Sequence, residues 1–85
     1  MLLNVGFDNA VVIDRIVSIV AVNSTPVKKM IDEAKKNGYL IDATHGKKIR
    51  SVIITDSNHY VLSSLQTETL MARFSGKEKN QEKKQ

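Results

Sequence analysis

The chain has 85 residues, a formal net charge of +4, 41% hydrophobic and 5% aromatic residues, and no cysteine. That is enough chain for one domain only, and the absence of cysteine closes off disulfides and thiolate zinc sites. A domain this size buries only about 60% of its unfolded surface, so a lone copy is marginally stable and self-association is the open route to more buried area.

The chain starts strand-like. Leu3-Asn4-Val5 and Val11-Val12-Ile13 flank Gly6-Phe7-Asp8-Asn9, whose composition favours a turn. After Asp14-Arg15, the run Ile16–Val22 is β-branched and almost wholly apolar. Such a run suits a strand covered on both faces, or one with a face in a subunit contact. Asn23-Ser24-Thr25-Pro26 is the clearest punctuation, with Thr25 expected to cap a helix and Pro26 to open it. Val27, Met30, Ile31 and Ala34 then fall at helical spacing, and Asn37-Gly38 supplies a stop, so the spacing predicts a helix over about 26–37.

Tyr39–Asp42 reads as a short strand leading into the basic glycine turn Thr44-His45-Gly46-Lys47-Lys48. Ile49–Thr55 reads as a longer strand, Asp56–His59 as a polar turn and Tyr60–Ser64 as its hairpin partner. Leu70, Met71 and Phe74 suggest a short C-terminal helix over about 67–74. Residues 1–76 are thus expected to form one α+β domain around a mostly antiparallel sheet, followed by a disordered charged tail over 77–85. The start lacks a signal-peptide pattern, and no apolar run reaches the ~18 residues of a membrane span. The expectation is a cytoplasmic protein without a membrane partner.

Few residues suggest covalent chemistry. Gly46-Lys47 fails as a phosphate loop, because Ile41 stands where the first glycine belongs and Lys48 where Ser or Thr belongs. His45 and His59 lie in turns and form no metal-ligand spacing, so no metal and no cofactor is expected. Asp56-Ser57-Asn58-His59 places triad residue types side by side, but working triads are assembled from separated segments. The residues point away from an enzyme, and no small-molecule substrate is evident.

The basic residues are the informative remainder. Seven lysines and arginines face three acids between residues 28 and 50, a net of +4, whereas the flanking stretches 1–27 and 51–76 each carry −1. Lys28 and Lys29 are expected in the first turn of the helix, where the dipole already disfavours cations, so positive potential collects there. Lys47, Lys48 and Arg50 flank a glycine turn, where backbone can approach a phosphate. As a set they suggest phosphate binding. An acidic protein partner is the alternative, which would make the chain a scaffold or interaction module.

The chain resembles the RemA-type regulators of extracellular-matrix genes over nearly all of residues 2–74. The carriers are Asn4-Val5-Gly6-Phe7 with Asn9, Arg15, Ser24 through Pro26 with Lys28-Lys29, and Gly38 with Leu40-Ile41-Asp42-Ala43-Thr44. Gly46-Lys47-Lys48 with Arg50, Asp56-Ser57 with His59, Leu62-Ser63 and Glu68-Thr69 complete the match. The resemblance implies a small α+β domain related to LytTR-type DNA-binding modules. It implies a bacterial, cytosolic transcriptional activator of biofilm-matrix genes, and in some members of osmoprotection genes. Such proteins assemble into a ring-shaped homo-oligomer and bind double-stranded DNA around the rim. By resemblance the DNA contacts fall on Arg15, Lys29, Lys47, Lys48 and Arg50, and the charge pattern adds Lys28. Lys47-Lys48 replaces a common arginine pair, and lysine holds a phosphate as a point charge without the bidentate fork that reads guanine.

Overall fold

A computed structural model describes residues 1–76; the charged tail expected over 77–85 lies outside the described residues. Leu2–Gly6 (β1) and Asn9–Val12 (β2) form an antiparallel hairpin. Its two-residue tip, Phe7-Asp8, has φ of 52° and 64°, the doubly left-handed turn that matches strand twist. The Asn9 side-chain amide holds that tip by donating to the carbonyls of Gly6 and Phe7 at 3.1 Å each. A 3-10 turn over Ile13–Arg15 leads into Ile16–Ala21 (β3).

The helix α1 spans Thr25–Lys36. Its N-cap is Ser24, and Thr25 is already helical, which corrects the expected cap by one residue; neither the cap side chain nor an acid serves the first turn. Lys28 and Lys29 consequently open the second turn rather than the first, and the Lys28 N–H is bonded to the Ser24 carbonyl at 3.2 Å. At the other end Gly38, at φ 79°, donates to the Lys35 carbonyl, and Tyr39 donates to that of Ala34 at 2.9 Å. This is the paired closure that a left-handed glycine permits.

Leu40–Asp42 (β4), Ser51–Thr55 (β5) and Tyr60–Ser63 (β6) complete the second sheet, in the order β3-β5-β6-β4. The β3–β5 and β5–β6 pairs are antiparallel and β4–β6 is parallel. The two edge strands β3 and β4 therefore run the same way, α1 connects them, and the β5–β6 hairpin fills the gap. β5 begins at Ser51, two residues later than expected, because Ile49 and Arg50 remain in irregular chain. Thr67–Ser75 (α2) closes the described fold and packs on β1 and β3. This is the expected α+β class.

Strand alternation divides the sheet into two faces. Leu3, Val5, Ala43, Ile53, Val61 and Leu70 form one buried cluster between the hairpin, the sheet and α2. Val52, Leu62 and Tyr60 take the other face, where Tyr60 shares a cleft with Met30 and Ala34 of α1. Polar fasteners tie these layers together. Buried Ser63 donates its hydroxyl to the Val5 carbonyl at 2.7 Å and accepts the Leu65 N–H at 3.1 Å. Ser51 donates likewise to the Leu65 carbonyl. The apolar run in β3 is not covered on both faces within one chain: Ile16 and Ile19 pack on the core, while Val17 remains 66% exposed.

Candidate nucleic-acid interface

The basic turn is built outward from the end of β4. The Asp42 carboxylate accepts the Thr44 hydroxyl at 2.6 Å and the Thr44 N–H at 2.9 Å. Those two bonds, the hydroxyl's first, hold Asp42 below the ordinary aspartate pKa, against a small opposing effect of burial. Thr44 itself is only 2% exposed, so the turn starts from a fixed point. His45 and Gly46 follow at φ 54° and 80°, and the Lys47 N–H closes the turn onto the Thr44 carbonyl at 3.0 Å. The chain then returns to the sheet at Arg50, whose N–H donates to Ser63 at 2.9 Å while its carbonyl accepts from Val22 at 3.3 Å.

The outcome is three exposed cations on a backbone pinned at both ends. Lys47, Lys48 and Arg50 line an open cleft of about 380 Å³ with Phe7 and Ser64, and among the described residues no acid contributes to its wall. Among the described residues none of the three makes an ion pair. Phe7 reaches this cleft from the tip of the β1–β2 hairpin and stacks on His45, with ring centroids 5.0 Å apart and planes 20° apart.

The remaining sequence-derived residues are placed differently. Lys28 and Lys29 are exposed on α1, which begins three residues after Val22 and hence at the Arg50 end of the sheet, but neither lines the cleft. Arg15 stands at the far end of the β3–β5 ladder. Its backbone carbonyl accepts the Asp56 N–H at 2.8 Å, and its Nε donates to both Asp56 carboxylate oxygens at 2.7 and 2.9 Å. Across that ladder, six residues from Asp56 back along β5, it is on the order of 20 Å from Arg50. One chain brings Lys47, Lys48 and Arg50 together and leaves Arg15 apart.

The Asp56–His59 turn behaves as turn chemistry. His59 Nδ1 lies 2.7 Å from the Ser57 hydroxyl, which in turn meets the Thr55 hydroxyl at 2.9 Å, but the Asp56 carboxylate is directed to Arg15. No acid–imidazole–hydroxyl relay is assembled there. Phe7, His45 and Ser64 are the residues of the cleft region that sequence reasoning missed. Gly6 and Asn9 announce a tight turn, but nothing in the sequence couples its tip to residue 45.

Residues 2–74 match the RemA-like family, described as extracellular matrix regulatory protein A-like. The chain is 58% identical over 73 residues to a Thermotoga maritima protein, covering 86% of this chain and 79% of that one. It is 55% identical over 74 residues to one from Thermodesulfovibrio yellowstonii, covering 87% of each. To one from Alkaliphilus metalliredigens it is 49% identical over 81 residues, covering 95% of this chain and 87% of the relative. All three carry the name "putative regulatory protein", a regulatory and not an enzymatic description. With residues 2–74 matched and its relatives this similar, the chain belongs to the RemA-like family.

Proposed function

We propose that this chain is a DNA-binding transcriptional regulator that works as a ring-shaped homo-oligomer. The observation that carries the reading is the cleft of Lys47, Lys48 and Arg50, three cations without described ion-pair partners on a backbone fixed by Thr44 and Ser63. Phosphates are held by such preplaced charges, and each neutralised phosphate releases counterions from the duplex. With lysines at two of the three positions, most of the binding comes from the phosphate backbone, and sequence is read through DNA shape more than through base edges.

Self-association supplies what one copy lacks. The strand β3 leaves Val17 exposed, and Ile16, Val17, Ile19, Met71 and Phe74 border one apolar cleft that α2 does not close. Repeating one modest basic patch around a ring turns weak individual contacts into firm binding through effective concentration. In this reading Lys28, Lys29 and Arg15 add positive potential on the rim. The family description suggests control of extracellular-matrix genes, with activation and osmoprotection genes as the finer expectation, and a cytoplasmic site of action follows from the DNA partner.

The test is a gel-shift titration with a promoter duplex carrying direct repeats and a scrambled duplex, with the mass of the protein followed by light scattering. Retardation by an assembled species supports the reading. An assembled species that retards neither duplex, yet retains an acidic protein, favours a scaffold instead.

A further inference from the structure

We infer that Phe7, backed by His45, is an apolar contact for duplex DNA and the source of a salt-independent part of its binding. The inference rests on the DNA reading of the cleft and deepens it. Phe7 lies at the tip of a two-residue turn with φ 52°, a conformation that ordinarily selects glycine, asparagine or aspartate. A bulky aromatic there is a poor choice for the turn itself. Nor does the ring serve the core: it lies outside the buried cluster and remains 46% exposed.

What the ring does instead is cross to another element. It stacks on His45, which is also held at a left-handed φ, so two turn tips from different parts of the chain meet ring to ring. The imidazole covers part of the phenyl surface and restrains it. The remainder faces the cleft that Lys47, Lys48 and Arg50 line. Phosphates held by these cations would bring the adjoining deoxyribose and base edges to within reach of an apolar group fixed beside them. Apolar side chains in that situation pack on sugars or wedge against a base step. The cations account for the salt-dependent part of binding, whereas a phenyl contact is indifferent to counterions.

That difference gives the experiment. Fluorescence anisotropy of a labelled duplex is measured against salt for the wild type, Phe7→Asn, Phe7→Tyr and Lys47→Glu/Lys48→Glu, each at matched assembled mass. Asparagine tolerates the left-handed turn, so the first variant removes the ring without straining the fold. Phe7→Asn should weaken binding at least about tenfold at every salt concentration, giving a line parallel to the wild type; tenfold is the size of one lost aromatic contact, and the ring loses one per engaged subunit. Phe7→Tyr should restore binding to within about twofold, since it keeps the ring. The double charge reversal should instead lose measurable binding near physiological salt, with any residual binding at low salt falling on a flatter line. His45→Asn, which removes the backing ring, should shift the line in the same direction as Phe7→Asn and is the second variant should Phe7→Asn fail to assemble.

A Phe7→Asn line that overlays the wild type overturns the inference and leaves the DNA reading standing. So does a Phe7→Asn line with a changed slope, which would mean that the ring only positions the cations. Absence of binding by the assembled wild type overturns the DNA reading, and this inference with it.

Discussion

Arg15 and Arg50 stand at opposite ends of the β3–β5 ladder, Arg15 beside Asp56 and Arg50 beside Ser51. Within one chain they cannot grip the same phosphate. Groups this far apart act independently, so Arg15→Ala and Arg50→Ala should lower duplex affinity additively, the double variant matching the combined single losses to within about 0.5 kcal/mol. Asp56→Asn releases the Arg15 guanidinium and removes a nearby negative charge, so it should raise affinity at low salt. Anisotropy titrations of the four variants check both statements.

Gly46 takes φ 80° with nothing near the position of an added Cβ. The cost of Gly46→Ala is therefore backbone strain alone, about 1–2 kcal/mol for a left-handed non-glycine residue. Urea unfolding should show that loss with an unchanged denaturant slope. DNA binding by the folded fraction should weaken as well, because the turn sets the spacing of Lys47 and Lys48.

Asp42 links acid stability to the same turn. Its folded pKa lies below the ordinary value because the carboxylate accepts both Thr44 donors. A depressed acid contributes stability above its unfolded pKa and loses it as pH falls through the folded value. Solvent screens this exposed carboxylate, so its share of acid lability is a small one, confined to pH below about 4. Asp42→Ala should remove that share, and at neutral pH it should cost about 1–3 kcal/mol by leaving the buried Thr44 donors unpaired. Asp42→Asn keeps an acceptor and should cost less. Thermal melts between pH 3 and 7 distinguish the two.

Ser63 fastens the β1–β2 hairpin to the sheet through the Val5 carbonyl and the Leu65 N–H. Ser63→Ala orphans the buried Val5 carbonyl and the partly buried Leu65 N–H and should destabilise by about 1–3 kcal/mol. Hydrogen exchange should accelerate first in the hairpin, and the Phe7–His45 stack should loosen with it.

Local signals carried most of the fold. β-Branched runs gave β3 and β5, apolar spacing with a terminal glycine gave α1, and Gly6 with Asn9 gave the first hairpin. The errors were also local in kind: Ser24 and Thr25 are both good caps, and only the backbone of Ser24 is extended. What the sequence could not convey depends on long-range pairing. The parallel register of β4 on β6 carries the basic turn to the end of the sheet opposite Arg15, although the family resemblance groups those residues together. The meeting of Phe7 with His45 needs two turns, separated by more than thirty residues, to converge through the core beneath them.

If the Lys47–Arg50 turn is the DNA-binding surface, reversing its charge must abolish binding while leaving assembly intact. The most direct measurement is a gel shift of the Lys47→Glu/Lys48→Glu variant beside the wild type near physiological salt, with light scattering on both. Wild-type retardation should fall steeply with salt, and the variant should lose retardation while keeping its assembled mass. Equal retardation by the two proteins would contradict this assignment.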